Sequence, residues 1–313
     1  MDIRGDIREL IKNVNNCPYI PGAEIKGTIR TAILWWVVRN NYNGLTTTVV
    51  DCLKKTLNSA RSEIKKATEK NKVRSKWETM ADNEIEKVVF GDDPQKDILK
   101  TLYIGDTKPF RVNEMEAFET KVMTVRGNKA YWKVFRDRKN SPDSTDGTPA
   151  FIEGITVGKK TISNIKIENF FWEKDKQNDL KFDLKKEYLL KIITICKEYT
   201  KYIWSTEGNF YKDLKSAGVQ ELVSFYNDQK ITDLKENEFL LPIGWGTGQG
   251  AKTIFQLLPL EIQDELRWVF DLGKFDYKDG KRIMVKPYSK TRKIAFENGK
   301  PKYPLGWVKV EII

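Results

Sequence analysis

The stretch CPYIPGAEIKGTIRTAILWWVVRN, residues 17–40, decides the beginning of the fold. Pro21-Gly22 is a turn signal, and Tyr19-Ile20 before it is interpreted as the end of a strand. From about Glu24 apolar residues recur at helical spacing, which predicts an α-helix. They are Ile25, Ile29, Ile33, Trp36 and Val37. Further apolar residues widen this stripe, so the helix is expected to be buried on most sides, with only its first turn free for chemistry.

The first turn of this predicted helix carries two basic residues. Lys26 and Arg30 are spaced i and i+4, so they lie on one helix face. A phosphate at the helix start would meet the amide dipoles that follow Gly22 together with both cations. The competing interpretation is that the two side chains only keep this face in water.

A second motif is the glycine-rich loop GWGTGQGAKT, residues 244–253. Glycine lets the backbone come close to a ligand, and free N–H groups at a helix start attract anions. The residues TIFQLL that follow the loop are expected to form that helix. The loop is therefore predicted to bind phosphate through its glycines and its lysine. These residues are Gly244, Gly246, Gly248, Gly250 and Lys252.

Standard nucleotide motifs fit this loop poorly. A Walker A motif needs adjacent Gly-Lys-Ser/Thr, whereas Ala251 separates Gly250 from Lys252. A dinucleotide fingerprint can only be forced onto Gly246, Gly248 and Ala251. Nucleotide binding therefore stays an alternative, and so does a flexible turn packed near Trp245.

A third basic cluster lies near the C-terminus, in residues 281–293. It holds six basic residues and no acidic one, and Tyr288 lies among them. Cations beside an aromatic ring suit a single-stranded nucleic acid, which offers phosphates and stacking faces. A basic hairpin that keeps an edge strand soluble is the alternative.

Composition narrows the function further. The 313 residues include 55 Lys and Arg against 44 Asp and Glu, so the formal net charge is +11 and a polyanion is the expected partner. The chain contains no histidine, which excludes catalysis or metal binding by imidazole. Its three cysteines are too far apart for a metal knuckle or a disulfide framework. No pattern of acidic residues predicts a metal site either. We therefore expect no metal and no cofactor, and we assign no catalytic residue.

The order of predicted elements indicates an α+β fold in two halves. Residues 1–148 form the first half, with a charged helical insertion at about 51–100, and residues 149–313 form the second. The polar linker at 140–148 is the predicted boundary. Within the insertion, residues 61–76 hold seven basic residues against two acidic, which suits a solvated hairpin or an arm that faces nucleic acid. Strands followed by a helix recur in each half, as in a βαββαβ arrangement. No apolar run is long enough to span a membrane, so we expect a protein of the cytoplasm.

Three of these segments carry a family resemblance. IPGAEIKGTIRTAIL looks like the "IPGSSIKGALRTAL" signature of the RAMP superfamily in CRISPR effector complexes, and LPIGWGTGQGAKT resembles its glycine-rich loop. The tail PYSKTRKIAFENGKPKYPLGWVKVEI is similar to the ending of one member, the Csm subunit that caps the type III-A complex at the 3′ end of the guide RNA (crRNA). TLYIGDTKPF and FIEGITVGKKT match further segments of that subunit, so the resemblance spans most of the chain.

This resemblance implies a fold of two RRM-like (ferredoxin-like) halves and a non-catalytic role in holding crRNA and in its maturation. The implied partners are crRNA, the backbone RAMP subunits and small subunits of the Csm complex, target RNA, and host nucleases that trim the guide. A RAMP-type endoribonuclease is the alternative function. The residues that match the family motifs and are expected to contact the RNA backbone are Gly22, Lys26, Arg30, Gly244, Gly246, Gly248, Gly250, Lys252, Lys290, Arg292 and Lys293.

One departure from the family pattern concerns the first strand. Relatives begin with a strand and a "PvHIGsG"-like turn before the Pro-Gly motif. Only residues 1–16 stand in that place here, and they are polar with a weak helical pattern. The first half is therefore expected to lack its usual first strand.

Overall fold

The computed structural model describes residues 6–136, 139–169, 173, 182, 185–214, 216, 218–228, 233–273, 275–285 and 288–313, so Lys286 of the basic cluster lies outside it. Helices and strands are mixed along these ranges, which confirms an α+β fold. The helices are α1 (Gly22–Arg39), α2 (Leu45–Lys66), α3 (Lys70–Phe90), α4 (Lys186–Leu190), α5 (Ile192–Lys212), α6 (Gln220–Asn227) and α7 (Leu260–Phe270). The strands are β1 (Ile7–Arg8), β2 (Leu102–Ile104), β3 (Met115–Arg126), β4 (Lys129–Val134), β5 (Lys139–Ser141), β6 (Ala150–Ile155), β7 (Ile165–Ile167), β8 (Glu238–Pro242), β9 (Phe275–Lys278), β10 (Lys281–Met284), β11 (Thr291–Glu297), β12 (Lys300–Pro304) and β13 (Trp307–Glu311).

The long strand β3 is the centre of the main sheet. It pairs antiparallel with β6, β4 and β11, and the ladder with β11 sets Thr291 opposite Thr124 and Phe296 opposite Glu119. Within the described ranges this sheet has seven strands, with β12 beyond β11, β1 beyond β6 and β5 beyond β4. Three smaller antiparallel pairs, β8 with β13, β2 with β7 and β9 with β10, stand outside it.

The predicted boundary between the halves falls inside the main sheet. Residues 1–148 supply β1, β3, β4 and β5, whereas residues 149–313 supply β6, β11 and β12. The sheet is therefore a joint structure of both predicted halves. The division itself stays a prediction.

The N-terminal segment differs from its prediction. The described residues 6–16 form no helix, so the weak helical pattern was misleading. Instead Ile7–Arg8 pairs parallel with Phe151–Ile152 at the edge of β6. The carboxylate of Glu153 fixes this segment, because it accepts a hydrogen bond from the Leu10 amide at 2.9 Å and another from Lys12 Nζ at 2.7 Å. A two-residue strand thus stands where the sequence predicted none.

The helix predicted in residues 17–40 is confirmed and forms the middle of the larger core. Pro21 precedes it in extended conformation, and Ala32, Ile33 and Val37 have no exposed surface. Trp35, in the apolar stripe of this helix, packs on Tyr199 of α5, with ring centroids 5.7 Å apart. A second core lies between the main sheet and α5 and α6. Among the described residues, no helix is long and apolar enough to cross a bilayer.

The prediction of a helix directly after the glycine-rich loop is wrong. Only one 3-10 turn forms, at Phe255–Leu257, and the next α-helix begins at Leu260. Pro259 explains the break, because a proline forces the preceding residue out of helical conformation, and Leu258 is extended with ψ 149°. The loop therefore cannot use the N-terminus of a long helix to attract an anion.

Candidate nucleic-acid interface

The glycine-rich loop connects β8 to the 3-10 turn and packs on the β12–β13 connection. The Ile243 amide donates to the Gly306 carbonyl at 2.7 Å, which clamps the start of the loop. Gly244, Gly246 and Gly248 have φ of 80°, 94° and 86°, a backbone region that residues with a side chain rarely adopt. The path of the backbone therefore requires glycine at these three alternating positions.

Trp245 extends from this loop between two cations. The guanidinium of Arg8 lies 4.8 Å from its ring centroid, and Lys293 Nζ lies 3.7 Å from it. Both distances are within the range of a cation–π interaction. The N-terminal strand, the glycine-rich loop and the C-terminal hairpin therefore meet at one ring.

Arg8 and Lys293 at this ring, together with Lys252 whose charge acts on Lys293, form a cluster of positive charge called here the loop cluster. Burial lowers the pKa of the Lys293 ammonium, and the charges of Arg8 and Lys252 lower it further. None of the three makes an ion pair with a carboxylate among the residues the structure describes. Uncompensated like charges repel, so an anion bound here would relieve the repulsion.

Arg292, the neighbour of Lys293 in sequence, has a different environment. Its Nε and Nη2 donate to the two carboxylate oxygens of Glu207 at 2.6 and 2.8 Å, and each side chain is only about 10% exposed. The guanidinium also lies 4.2 Å from the ring centroid of Phe210. This bidentate pair fastens β11 to α5 directly beneath the glycine-rich loop. Geometry thus gives Arg292 a structural role, and RNA contact by it stays a prediction.

Two other predicted contacts border the loop. Gly250 packs near the side chains of Gln256 and Glu207 and has no positive φ. Lys290 is half-buried on the segment that leads into β11.

The first motif is placed apart from the loop cluster, beside acidic residues. The Gly22 amide at the start of α1 donates to Asp106 Oδ1 at 2.8 Å, so a carboxylate of the protein already occupies that N–H group. Arg30 Nη1 bonds Glu86 Oε2 at 2.9 Å, and Arg30 also forms an ion pair with Asp97. These contacts fasten α1 to α3 and to the segment before β2.

Lys26 is the remaining cation of the first motif. Burial lowers the pKa of its ammonium group; Asp97 opposes that shift and Arg30 adds to it. The protein's own carboxylates therefore compensate much of the positive charge around α1. They leave the loop cluster as the better anion site of the two.

Sequence reasoning missed two members of the interface. Arg8 lies in a segment that was expected to be polar with a weak helical pattern, and Trp245 was considered only as a packing partner of the loop. The position of an aromatic residue between two glycines was the available signal for Trp245. No local signal marks Arg8, since only the β1–β6 pairing brings it to the ring.

Metal chemistry has no visible site in the described ranges. They contain no group of three or more His, Cys, Asp or Glu side chains placed to hold a metal ion. Cys196 is fully buried, and burial raises the pKa of its thiol to about 12. That thiol is therefore poorly suited to act as a nucleophile.

Together these elements form one α+β fold, which contains a helix that begins after Pro21 and a glycine-rich loop. A family model described as the RAMP superfamily matches residues 1–249. The chain belongs to the RAMP superfamily, so the resemblance drawn from its motifs is confirmed.

Particular relatives can also be given. The chain is 25% identical over 323 residues to the CRISPR system protein Csm5 of Methanocaldococcus jannaschii; the match covers 96% of this chain and 64% of the relative, so the chain spans less than two thirds of that protein's length. A chain of the cryo-EM structure of a Csm-crRNA-target RNA ternary complex, from a type III-A CRISPR-Cas system, matches with a TM-score of 0.61 at 22% identity, over 98% of this chain and 75% of that one. The crystal structure of T. onnurineus Csm5 matches with a TM-score of 0.49 at 20% identity, over 97% and 73%.

Proposed function

We propose that this protein is a non-catalytic subunit of a type III-A Csm complex that holds crRNA by its phosphates. The observation that carries this function is the loop cluster, three cations without carboxylate partners among the described residues, gathered around Trp245 on a loop of alternating glycines. Membership of the RAMP superfamily supports it, and so does the likeness to proteins whose names place them in Csm complexes.

The chemistry of the loop cluster favours backbone contacts over base reading. Lysine and arginine side chains bind phosphate oxygens, and glycine amides approach them closely, but neither arrangement distinguishes one base from another here. The Trp245 ring holds Arg8 and Lys293 by cation–π contacts, and neither cation reads the identity of a base. The subunit is therefore expected to hold any guide of suitable length.

Several finer points belong to the same proposal. The protein would cap the filament of backbone RAMP subunits at the 3′ end of crRNA, assist crRNA maturation by recruited host nucleases, and contact the small subunits and target RNA. Its two halves, residues 1–148 and 149–313, would each be RRM-like. A cytoplasmic location stays a prediction from the sequence.

Salt dependence tests the phosphate contacts. Lys252→Ala and Lys293→Ala are each expected to weaken binding of single-stranded RNA about equally for different sequences. Each should also reduce the slope of log affinity against log salt by roughly 0.7, the value for one lost phosphate contact on a single strand. Fluorescence anisotropy titrations over a salt series measure both quantities.

Lys300→Ala is the matched control, because Lys300 is exposed at the start of β12, in the hairpin that carries Lys293. It should leave the slope unchanged. If all three variants keep the wild-type slope, the loop cluster does not bind the RNA backbone. Incubation of the same RNA with pure protein, with and without Mg²⁺, separates the ribonuclease alternative: cleavage that one Asp or Lys substitution abolishes would contradict a non-catalytic role.

A further inference from the structure

A second basic surface lies on the helical side of the molecule, where α2, α3 and α7 converge. An open groove of about 140 Å³ runs between them. Three cations and one aromatic ring form most of its lining, together with Ile64 and Val269. They are Arg61, Lys65, Arg74 and Trp268, called here the helical groove.

Acidic side chains face two of the three cations of the helical groove, and the charge of Glu78 also acts on Arg74. Arg61 Nη2 bonds Glu265 Oε1 at 2.6 Å, and Arg74 Nη1 is 3.8 Å from Asp271 Oδ2. Asp271 is shared, because it also pairs with Arg282. Lys65 is exposed and makes no ion pair within the described part of the chain.

Arg74 supplies a more specific signal. Its Nε is buried and has no hydrogen-bond partner among the described residues. A buried donor without an acceptor costs free energy, so native structures usually provide a partner from protein, water or ligand. The Arg74 side chain is 21% exposed and lines the helical groove, so a change of its rotamer would be needed to turn this donor toward a bound oxygen.

Trp268 adds a stacking surface at the rim. Trp268 is 38% exposed. Phe275 packs against it with ring centroids 5.0 Å apart, and the Arg282 guanidinium lies 5.4 Å from the ring centroid. These contacts hold the ring in place while part of its surface stays open.

We propose that the helical groove binds one nucleotide of single-stranded RNA, with the phosphate at Lys65 and Arg74 and the base stacked on Trp268. Single strands are bound in this way, by cations that follow the backbone and by rings that accept any base. An acidic peptide would pair with the cations, but it has no base to stack on the exposed Trp268 ring. This site would give the basic excess of residues 61–76 a ligand. It rests on the proposed function only in that RNA is taken as the polymer.

Charge reversal and ring removal test the helical groove. Lys65→Glu and Trp268→Ala are each expected to weaken binding of a long single-stranded RNA about tenfold, as for the loss of one stacked base or one contact replaced by repulsion. Trp268→Phe keeps a ring and should remain within about twofold of wild type. Lys55→Glu is the matched control, since Lys55 is exposed on the same helix, ten residues or about 15 Å from Lys65 and on another side.

The outcomes separate this site from the loop cluster. Wild-type affinity in both Lys65→Glu and Trp268→Ala would overturn the nucleotide site, while a loss in Lys252→Ala would still support the loop cluster. Weaker binding in the groove variants, with wild-type binding in Lys252→Ala and Lys293→Ala, would support the nucleotide site and contradict RNA binding at the loop cluster. Competition by polyglutamate, lost in Lys65→Glu but unaffected by Trp268→Ala, would indicate an acidic protein partner and overturn the RNA assignment. Lys65 is exposed, so its variant is expected to fold even where Trp268→Ala does not, and thermal unfolding by circular dichroism checks each protein.

Discussion

Arg292→Ala is expected to lower the free energy of unfolding by about 3–5 kcal/mol, because it leaves the Glu207 carboxylate buried without its partner. The pair is bidentate at 2.6 and 2.8 Å, and both side chains are about 10% exposed, so water cannot replace the lost bonds well. The ring of Phe210 would lose its guanidinium as well. Urea denaturation followed by circular dichroism measures the change.

The double variant Arg292→Met with Glu207→Leu provides the control. A buried ion pair replaced by apolar side chains of similar volume is often neutral, so this variant should recover most of the lost stability. A loss below about 1 kcal/mol in Arg292→Ala would show that the pair is solvated and dispensable. Arg292 would then be available to RNA, as the sequence motif alone suggested.

Gly22→Ala is expected to destabilise the protein by about 3 kcal/mol, at the upper end for an overpacked site. A Cβ at Gly22 would lie 2.1 Å from the Ile104 carbonyl oxygen and 2.7 Å from the Gly105 carbonyl oxygen. Both obstacles are backbone atoms, so α1 would have to move away from the end of β2. The hydrogen bond from the Gly22 amide to Asp106 would be strained at the same time. Thermal and urea unfolding check this result.

Gly27→Ala is the matched control on the same helix. A Cβ at Gly27 meets nothing within 4 Å, and the residue is exposed. Alanine is the better helix former by about 1 kcal/mol, so this variant should be more stable than wild type. Equal stabilities of the two variants would contradict the close packing of α1 on β2.

The first helix was predictable because local pattern and burial agree there. The turn at Pro21-Gly22 and the spacing of Ile25, Ile29 and Ile33 locate α1 within two residues of its observed start. Where several local signals point to one structure, tertiary contacts have little to override.

Ion pairs between distant residues were not predictable. Arg30 meets Glu86 and Asp97, 56 and 67 residues away in sequence, and Arg292 meets Glu207 at a separation of 85. Motif reasoning treats a basic residue as available to a ligand, because the carboxylate that compensates it is invisible in one sequence. Arg8 illustrates the reverse case, since a parallel strand pairing brings an unremarkable residue to the loop cluster.

The glycine-rich loop was located correctly, but its predicted mechanism was not. Its anion site was attributed to the N-terminus of a following helix, and the structure provides a single 3-10 turn instead. What remains is the positive-φ backbone and the cations brought in by other segments. The proposed binding at the loop cluster would therefore depend on tertiary assembly more than on the loop sequence.

Photo-crosslinking tests most directly whether the glycine-rich loop holds RNA. Pure protein is irradiated with a single-stranded RNA that carries thiouridine at successive positions, and the linked peptides are identified by mass spectrometry. We expect crosslinks in residues 244–252, centred on Trp245, and their loss in a Lys252→Glu, Lys293→Glu variant that remains folded. Strong crosslinks confined to other surfaces, unchanged in that variant, would contradict RNA binding at the loop cluster.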